Sequence, residues 1–217
     1  MKQISIVLLL TGLAFFGYAI YQILTSTQKY DDSLARATKL VSQNENTDEP
    51  SNVKSAETVT VQDESGKDKI FSSESVAGSL DFNSEIGEEI GLLLISKIDA
   101  TLPIVEGVSE DELKKGVGHY DGTAFPSEPG QIVLSGHRDT VFRRMGELEI
   151  GDELLVRMPY GDFTYVMEKT EIVSADDLTV IRPHDYDEEM LTITTCYPFR
   201  YIGSAPDRYI VYAKPKR

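Results

Sequence analysis

The chain has 217 residues, room for one well-cored domain with some to spare. With 36 Asp and Glu against 21 Lys and Arg, its formal net charge of -15 argues against nucleic acid or anionic lipid headgroups as partners. A single cysteine, Cys196, excludes an internal disulfide and a Cys-rich metal site, and the three histidines, His119, His137 and His184, show no metal-ligand spacing.

Ile4 to Leu24 carries no charge, and its polar interruptions are mild. Its twenty-one residues suffice to cross a ~30 Å hydrocarbon core as a helix. Leu24-Thr25-Ser26 is a poor cleavage site, so the stretch reads as an uncleaved anchor. Lys2 precedes it while Lys29, Arg36 and Lys39 follow, so charge leaves the topology open. Tyr30 to Val41 has the makings of a short helical continuation. From Ser42 to about Ser79 the composition turns to Asn, Asp, Glu, Ser, Thr and Gly without period, too little apolar surface to offset ordering entropy. The expected division is an anchor over 1–25, a flexible acidic tether over 26–86 and a globular domain over 87–217.

After Gly87, short apolar runs alternate with turn signals. Strands are expected at Gly91–Ile95, Leu102–Val105, Gly116–Tyr120, Gln131–Leu134, Glu153–Met158 and Phe163–Val173, with the last at Arg208–Ala213. Ser109-Glu110-Asp111-Glu112 is a capping box opening one short helix. Val141–Leu148 is expected to be helical, and Tyr160-Gly161-Asp162 to be a hairpin turn. Seven or eight short strands with one or two short helices predict an all-β domain, a closed or nearly closed barrel.

Met190 to Phe199 is the stretch that carries chemistry. Leu191-Thr192-Ile193-Thr194-Thr195 is almost wholly β-branched and alternates apolar with hydroxyl side chains, predicting a strand with one face on a core. Cys196 falls where that strand ends, because Pro198 cannot donate to a ladder. A strand tip is rigid behind and open in front, a suitable mount for a nucleophile. A thiolate attacks far better than a thiol, so cationic partners matter. His137 follows an apolar strand on a loop, and Arg208 opens the final strand twelve residues after Cys196. If the Cys196 and Arg208 strands pair, all three meet at one barrel mouth. The residues alone equally allow a buried structural cysteine, a solvated His137 and a surface Arg208 paired with Asp207 or Asp139.

Thr192-Ile193-Thr194-Thr195-Cys196 resembles the T-L-x-T-C signature of sortases, with Ile193 in place of Leu. Gly136-His137 after an apolar strand and Arg208 a dozen residues beyond the cysteine fit the family's His and Arg positions. Leu94–Ile98, Leu102–Gly107 and Gly116–Tyr120 also look like sortase framework segments. The resemblance covers about residues 88–215 and is most like class D, since no aromatic Asp-Pro lid motif precedes the domain and only a short tail follows Arg208. It implies an eight-stranded sortase barrel outside the cell membrane of a Gram-positive-type cell, with the short amino end inside. It further implies Cys196 as nucleophile on an L-P-x-T-like sorting signal, His137 as acid and base, and Arg208 as oxyanion and substrate donor. The partners implied are secreted proteins carrying a C-terminal sorting signal and an amine on a peptidoglycan precursor.

Thr195, beside the nucleophile, is a candidate substrate contact, as are Leu178, Val180 and Ile181 in the long loop Ser174–Glu189, where the family forms a wall of its groove. No cofactor is expected. The carboxylates of 176–189 offer hard oxygen ligands suited to calcium, against the alternative of a solvated acidic loop. His184 reads as a bystander. Two rival functions remain open at this level: a membrane-tethered barrel that only binds a wall component, and a simple cysteine peptidase releasing to water.

Overall fold

The computed structural model describes residues 2–45, 82–183, 186–201 and 203–216. Eight strands follow the long helix α1 (Lys2–Glu45): β1 (Glu89–Ile95), β2 (Ala100–Glu106), β3 (Val117–His119), β4 (Gln131–Gly136), β5 (Glu153–Met158), β6 (Gly161–Ser174), β7 (Met190–Tyr197) and β8 (Asp207–Pro215). They close into a barrel in the order β1-β2-β3-β4-β7-β8-β6-β5. The pairs β2–β3 and β4–β7 are parallel and the rest antiparallel. A parallel pair needs a crossover. The one between β2 and β3 carries α2 (Glu110–Leu113), whose Glu112 carboxylate accepts the Ser109 backbone N–H as the capping box predicts.

Alternation fills the interior. Leu93 and Ile95 of β1, Ile132 and Leu134 of β4, Leu191 and Ile193 of β7, and Val211 and Ala213 of β8 join one core with Leu154, Tyr165 and Met167. Each large aliphatic side chain buried there contributes about 1.5–3 kcal/mol relative to exposure. Gly91 lets β1 and β5 meet: a Cβ there would lie 2.5 Å from the Arg157 carbonyl oxygen.

The helix departs most from the sequence expectation. It runs unbroken to Glu45, so residues 26–45, assigned to the tether, are helical. They are also docked. Ala37 and Val41 are buried with Leu92 of β1, and Leu34 and Leu94 pack beside them. Arg36 reaches Glu89 at 2.7 Å, and the Tyr30 hydroxyl donates to the Thr101 carbonyl at 3.2 Å. The apolar spacing 34, 37, 41 is one face of a helix, too short a stripe to stand out beside the anchor. Residues 46–81 of the expected tether lie outside the described residues. Amino-terminal to the docked part, α1 is long and apolar enough to cross a membrane, and its large side chains from Leu9 to Leu24 are exposed.

Val141–Leu148, expected to be helical, is instead a set of turns ending in a single 3-10 turn, Met145–Glu147. Phe142 and Met145 are both fully buried, and tight turns deliver both to the core. Gly146 sits under the Phe199 ring, where a Cβ would come within 2.8 Å.

Candidate active site

The strand registers build the site. In the parallel β4–β7 pair Gly136 lies opposite Thr195, so His137, one residue on, leaves its strand at the level of Cys196. In the antiparallel β7–β8 pair Cys196 lies directly opposite Arg208. With neighbouring strands ~4.8 Å apart, the thiol-bearing residue is flanked by the histidine on one side and the arginine on the other. The condition that the sequence left open, pairing of the Cys196 and Arg208 strands, is met.

Leu191 and Ile193 point into the core, so the period of two turns Thr192, Thr194 and Cys196 to the outer face. Cys196 is partly exposed and free of any disulfide. The His137 side chain is 32% exposed, its Nε2 3.9 Å from a carboxylate oxygen of Glu110. Gly136 is required in front of it, because a Cβ would meet the buried Phe142 ring at 2.5 Å. Arg208 is half-buried, and its Nη1 donates to the Asp207 carbonyl at 3.1 Å.

The loop between β6 and β7 lies along the same outer face and is tied there at several points. Gln131 Nε2 donates to the Val180 carbonyl and to Thr192 Oγ1, both at 2.8 Å, while its Oε1 accepts the Arg182 N–H at 2.6 Å. Glu189 accepts the Tyr165 hydroxyl at 2.5 Å and the Ser127 N–H at 3.0 Å. Burial, with the Glu189 charge beside it, pushes the Tyr165 phenol far above its usual pKa, so Tyr165 stays a donor. Val180 is buried, Ile181 half-buried and Leu178 69% exposed, so the three lie along one loop at different depths. Thr195, the candidate substrate contact beside the nucleophile, is buried, and its hydroxyl donates to the Gly136 carbonyl at 2.8 Å, tying β7 to β4.

Two carboxylates of the acidic loop are satisfied within it. Ser174 donates to Asp176, and the Thr179 hydroxyl and N–H donate to Asp177, which hold both carboxyls below their usual pKa. Among the described residues no group of three or more His, Cys, Asp or Glu is placed to hold a metal ion. His184 and Asp185 lie outside them.

His119 is a core histidine. Buried and stacked on Phe125, it bonds Glu106 through Nδ1 at 2.9 Å and Thr123 and the Ala124 carbonyl through Nε2. Two residues near the site escaped sequence reasoning. Glu110 faces His137, as above. Arg138 donates from one guanidinium to three carbonyls of the β7–β8 loop: Pro198 at 3.0 Å, Tyr201 at 2.8 Å and Gly203 at 2.9 Å. Its position after His137 was the only available signal; which carbonyls it meets depends on strand order. Phe199 and Tyr197 pack on Tyr209 at the root of the same loop.

Comparison with known proteins agrees with this geometry. The sortase domain family matches residues 93–216. Sortase D of Bacillus subtilis is 43% identical over 213 residues, covering 98% of both chains. Among solved structures, a Clostridium perfringens sortase transpeptidase superposes with a TM-score of 0.55 at 34% identity, over 61% of this chain and 83% of its own. The SrtA sortase of Actinomyces oris gives 0.58 at 30%, over 62% and 83%. A closed eight-stranded barrel with its one thiol between a histidine loop and an arginine strand, and a family match over most of that barrel, make this chain a member of the sortase family of cysteine transpeptidases, most like class D.

Proposed function

We propose that the chain is a membrane-anchored transpeptidase that cleaves an L-P-x-T-like sorting signal and transfers the acyl part to a cell-wall amine. The observation that carries the reading is the register placing Cys196 opposite Arg208 and level with the exit of His137. Cys196, as thiolate, attacks the carbonyl carbon after the signal's threonine; a C–S bond forms and the C–N bond breaks. His137, as imidazolium, gives its proton to the departing amine, and as neutral imidazole it takes one from the incoming amine. Arg208 directs its planar donors at the oxyanion as charge develops.

The outer face of β4 and β7, walled by the tied loop carrying Leu178, Val180 and Ile181, is the groove for the signal's apolar residues. Alternation in β7 supports this, since it turns Thr194 toward the same side as Cys196. The apolar part of α1 is the anchor, with the short amino end inside and the barrel outside. The clients are secreted proteins bearing the signal, and the acceptor is an amine on a peptidoglycan precursor.

The test is mass spectrometry of the full chain in detergent with an L-P-x-T-x peptide library, with and without an added amine. A covalent adduct at Cys196 and diversion of the acyl group to the amine are expected. Cleavage that ignores the amine would make the chain a peptidase, and an inert Cys196 would make it a binder.

A further inference from the structure

α1 and the strand directions together fix which end of the barrel looks toward the anchor. Ile95 pairs with Ala100 at the turn that joins β1 to β2, and Glu89 pairs with Val105 at the other end of the barrel. Ile104 of β2 is level with Val117 of β3, and Gly118 lies opposite Ser135 of β4. The β1–β2 turn therefore shares an end with the exit of β4, hence with His137, Cys196 and Arg208. Along α1, Tyr30 meets Thr101 near that turn and Arg36 meets Glu89 at the far end. The helix thus runs from the catalytic end toward the opposite end, and its apolar part projects beyond the catalytic end. Tyr30 lies six positions beyond Leu24, about 9 Å of helix at 1.5 Å per residue.

We infer that the catalytic end of the barrel faces the lipid bilayer and rests on its surface through apolar loop tips. This rests on the anchor reading above. The tips are Ile150 and Tyr201, which are 60% and 48% exposed and come from two separate loops of that end. Lys97, in the β1–β2 turn, binds Glu149 and Asp152 and so ties the Ile150 loop to this end. Exposure alone does not choose the end, because Ile86 and Tyr120 are exposed at the other; the direction of the docked helix does. Because the contact is apolar, the acidic total charge does not oppose it, and it holds on a zwitterionic bilayer.

The orientation gives a use to the cavity of about 840 Å³ between α1 and the barrel, lined by Ser26, Thr27 and Tyr30 on the helix and Thr101, His137 and Thr140 on the barrel. It opens at bilayer level, so an amine carried on a membrane-bound acceptor reaches His137 without leaving the interface. Cys196 and the β6–β7 loop are not among its lining residues, so an acyl group held in the groove leaves this route open.

The chain contains no tryptophan, so one introduced residue reports alone. The full chain carrying Ile150→Trp or, separately, Tyr120→Trp is reconstituted in zwitterionic nanodiscs, with and without lipids bearing a headgroup quencher. Emission is expected to be lost for Ile150→Trp and retained for Tyr120→Trp, in low and high salt alike. Tyr201→Trp, on a different loop, should follow Ile150→Trp and serves if the latter fails to fold. Equal quenching at both ends, quenching at Tyr120→Trp alone, or none at either overturns the orientation. A chain that does not co-elute with the nanodiscs overturns the anchor, and this inference with it, while the peptide-transfer assay in detergent still judges the chemistry separately.

Discussion

Arg138 is the residue whose removal best tests whether the β7–β8 loop has to be held for chemistry. The perturbation is Arg138→Met, which keeps much of the stem and deletes the guanidinium. Three hydrogen bonds to carbonyls of Pro198, Tyr201 and Gly203 disappear, with a guanidinium 5.7 Å from the Tyr201 ring centroid. Only the Pro198 bond is partly buried, so the charged donor contributes a solvent-discounted ~1 kcal/mol there and less at each of the two exposed bonds, about 2 kcal/mol in all. That energy holds the segment linking Cys196 to Arg208, so its loss lowers the population of the productive arrangement by about 30-fold. The global core is untouched, so thermal unfolding should move little. The assay is steady-state transfer of a labelled signal peptide to an amine, alongside a melting curve. The turnover number should fall far more than peptide affinity weakens, and Arg138→Lys should recover only part, since one ammonium cannot reproduce the fork. Near-wild-type turnover in Arg138→Met would show that the loop holds itself and refute the reasoning.

Three further outcomes follow from the site and the docked helix. Arg208→Lys should resemble Arg208→Ala, each losing about 100- to 1000-fold in turnover with the barrel still folded, because a planar donor pair is lost in both; good activity in the Lys variant, read in the same transfer assay, would leave only a charge effect. His137→Ala should abolish transfer without lowering the melting temperature, whereas His119→Ala should leave the carboxylate of Glu106 buried without its imidazole partner and cost about 3–5 kcal/mol of stability while the folded fraction still turns over, measured by denaturant unfolding. Burial alone would raise the Glu89 carboxyl, but the Arg36 hydrogen bond, the Ser33 hydroxyl beside it on α1 and the Arg36 charge together outweigh it and hold its pKa below the usual value. The pairing therefore stabilises docking of α1 above the ordinary carboxylate range and is lost as pH falls through the lowered value; proteolysis of α1 in detergent should accelerate on that acid limb for the native chain, and Arg36→Ala should be cleaved faster at neutral pH with a flatter acid response.

What was legible in the sequence was local. The β-branched run from Leu191 to Thr195 specifies a strand whatever surrounds it, and Pro198 ends it, so Cys196 at a tip followed from neighbours alone. The capping box at Ser109 and the uncharged stretch from Ile4 to Leu24 are equally self-contained signals. The helix expected over Val141–Leu148 was lost to a distant demand: the core takes Phe142, Met145 and Leu148, a strict spacing of three that i→i+3 turns bring into line, whereas an α-helix would rotate the third away from the first.

Tertiary structure alone decided the rest, because each of these features pairs groups far apart in the chain. Strand order sets Cys196 between His137 and Arg208, and no sequence period encodes which strands become neighbours. It likewise closes the Thr195 hydroxyl onto Gly136, hands Glu189 to Tyr165 and Gln131 to Val180, and brings three loop carbonyls to Arg138. The docking of Tyr30 to Val41 depends on an apolar patch around Leu92 that exists only once β1 has paired on both sides. The sequence determined the reagents and the strands that carry them; the closed barrel determined their company, since register and closure arise from packing across the whole sheet.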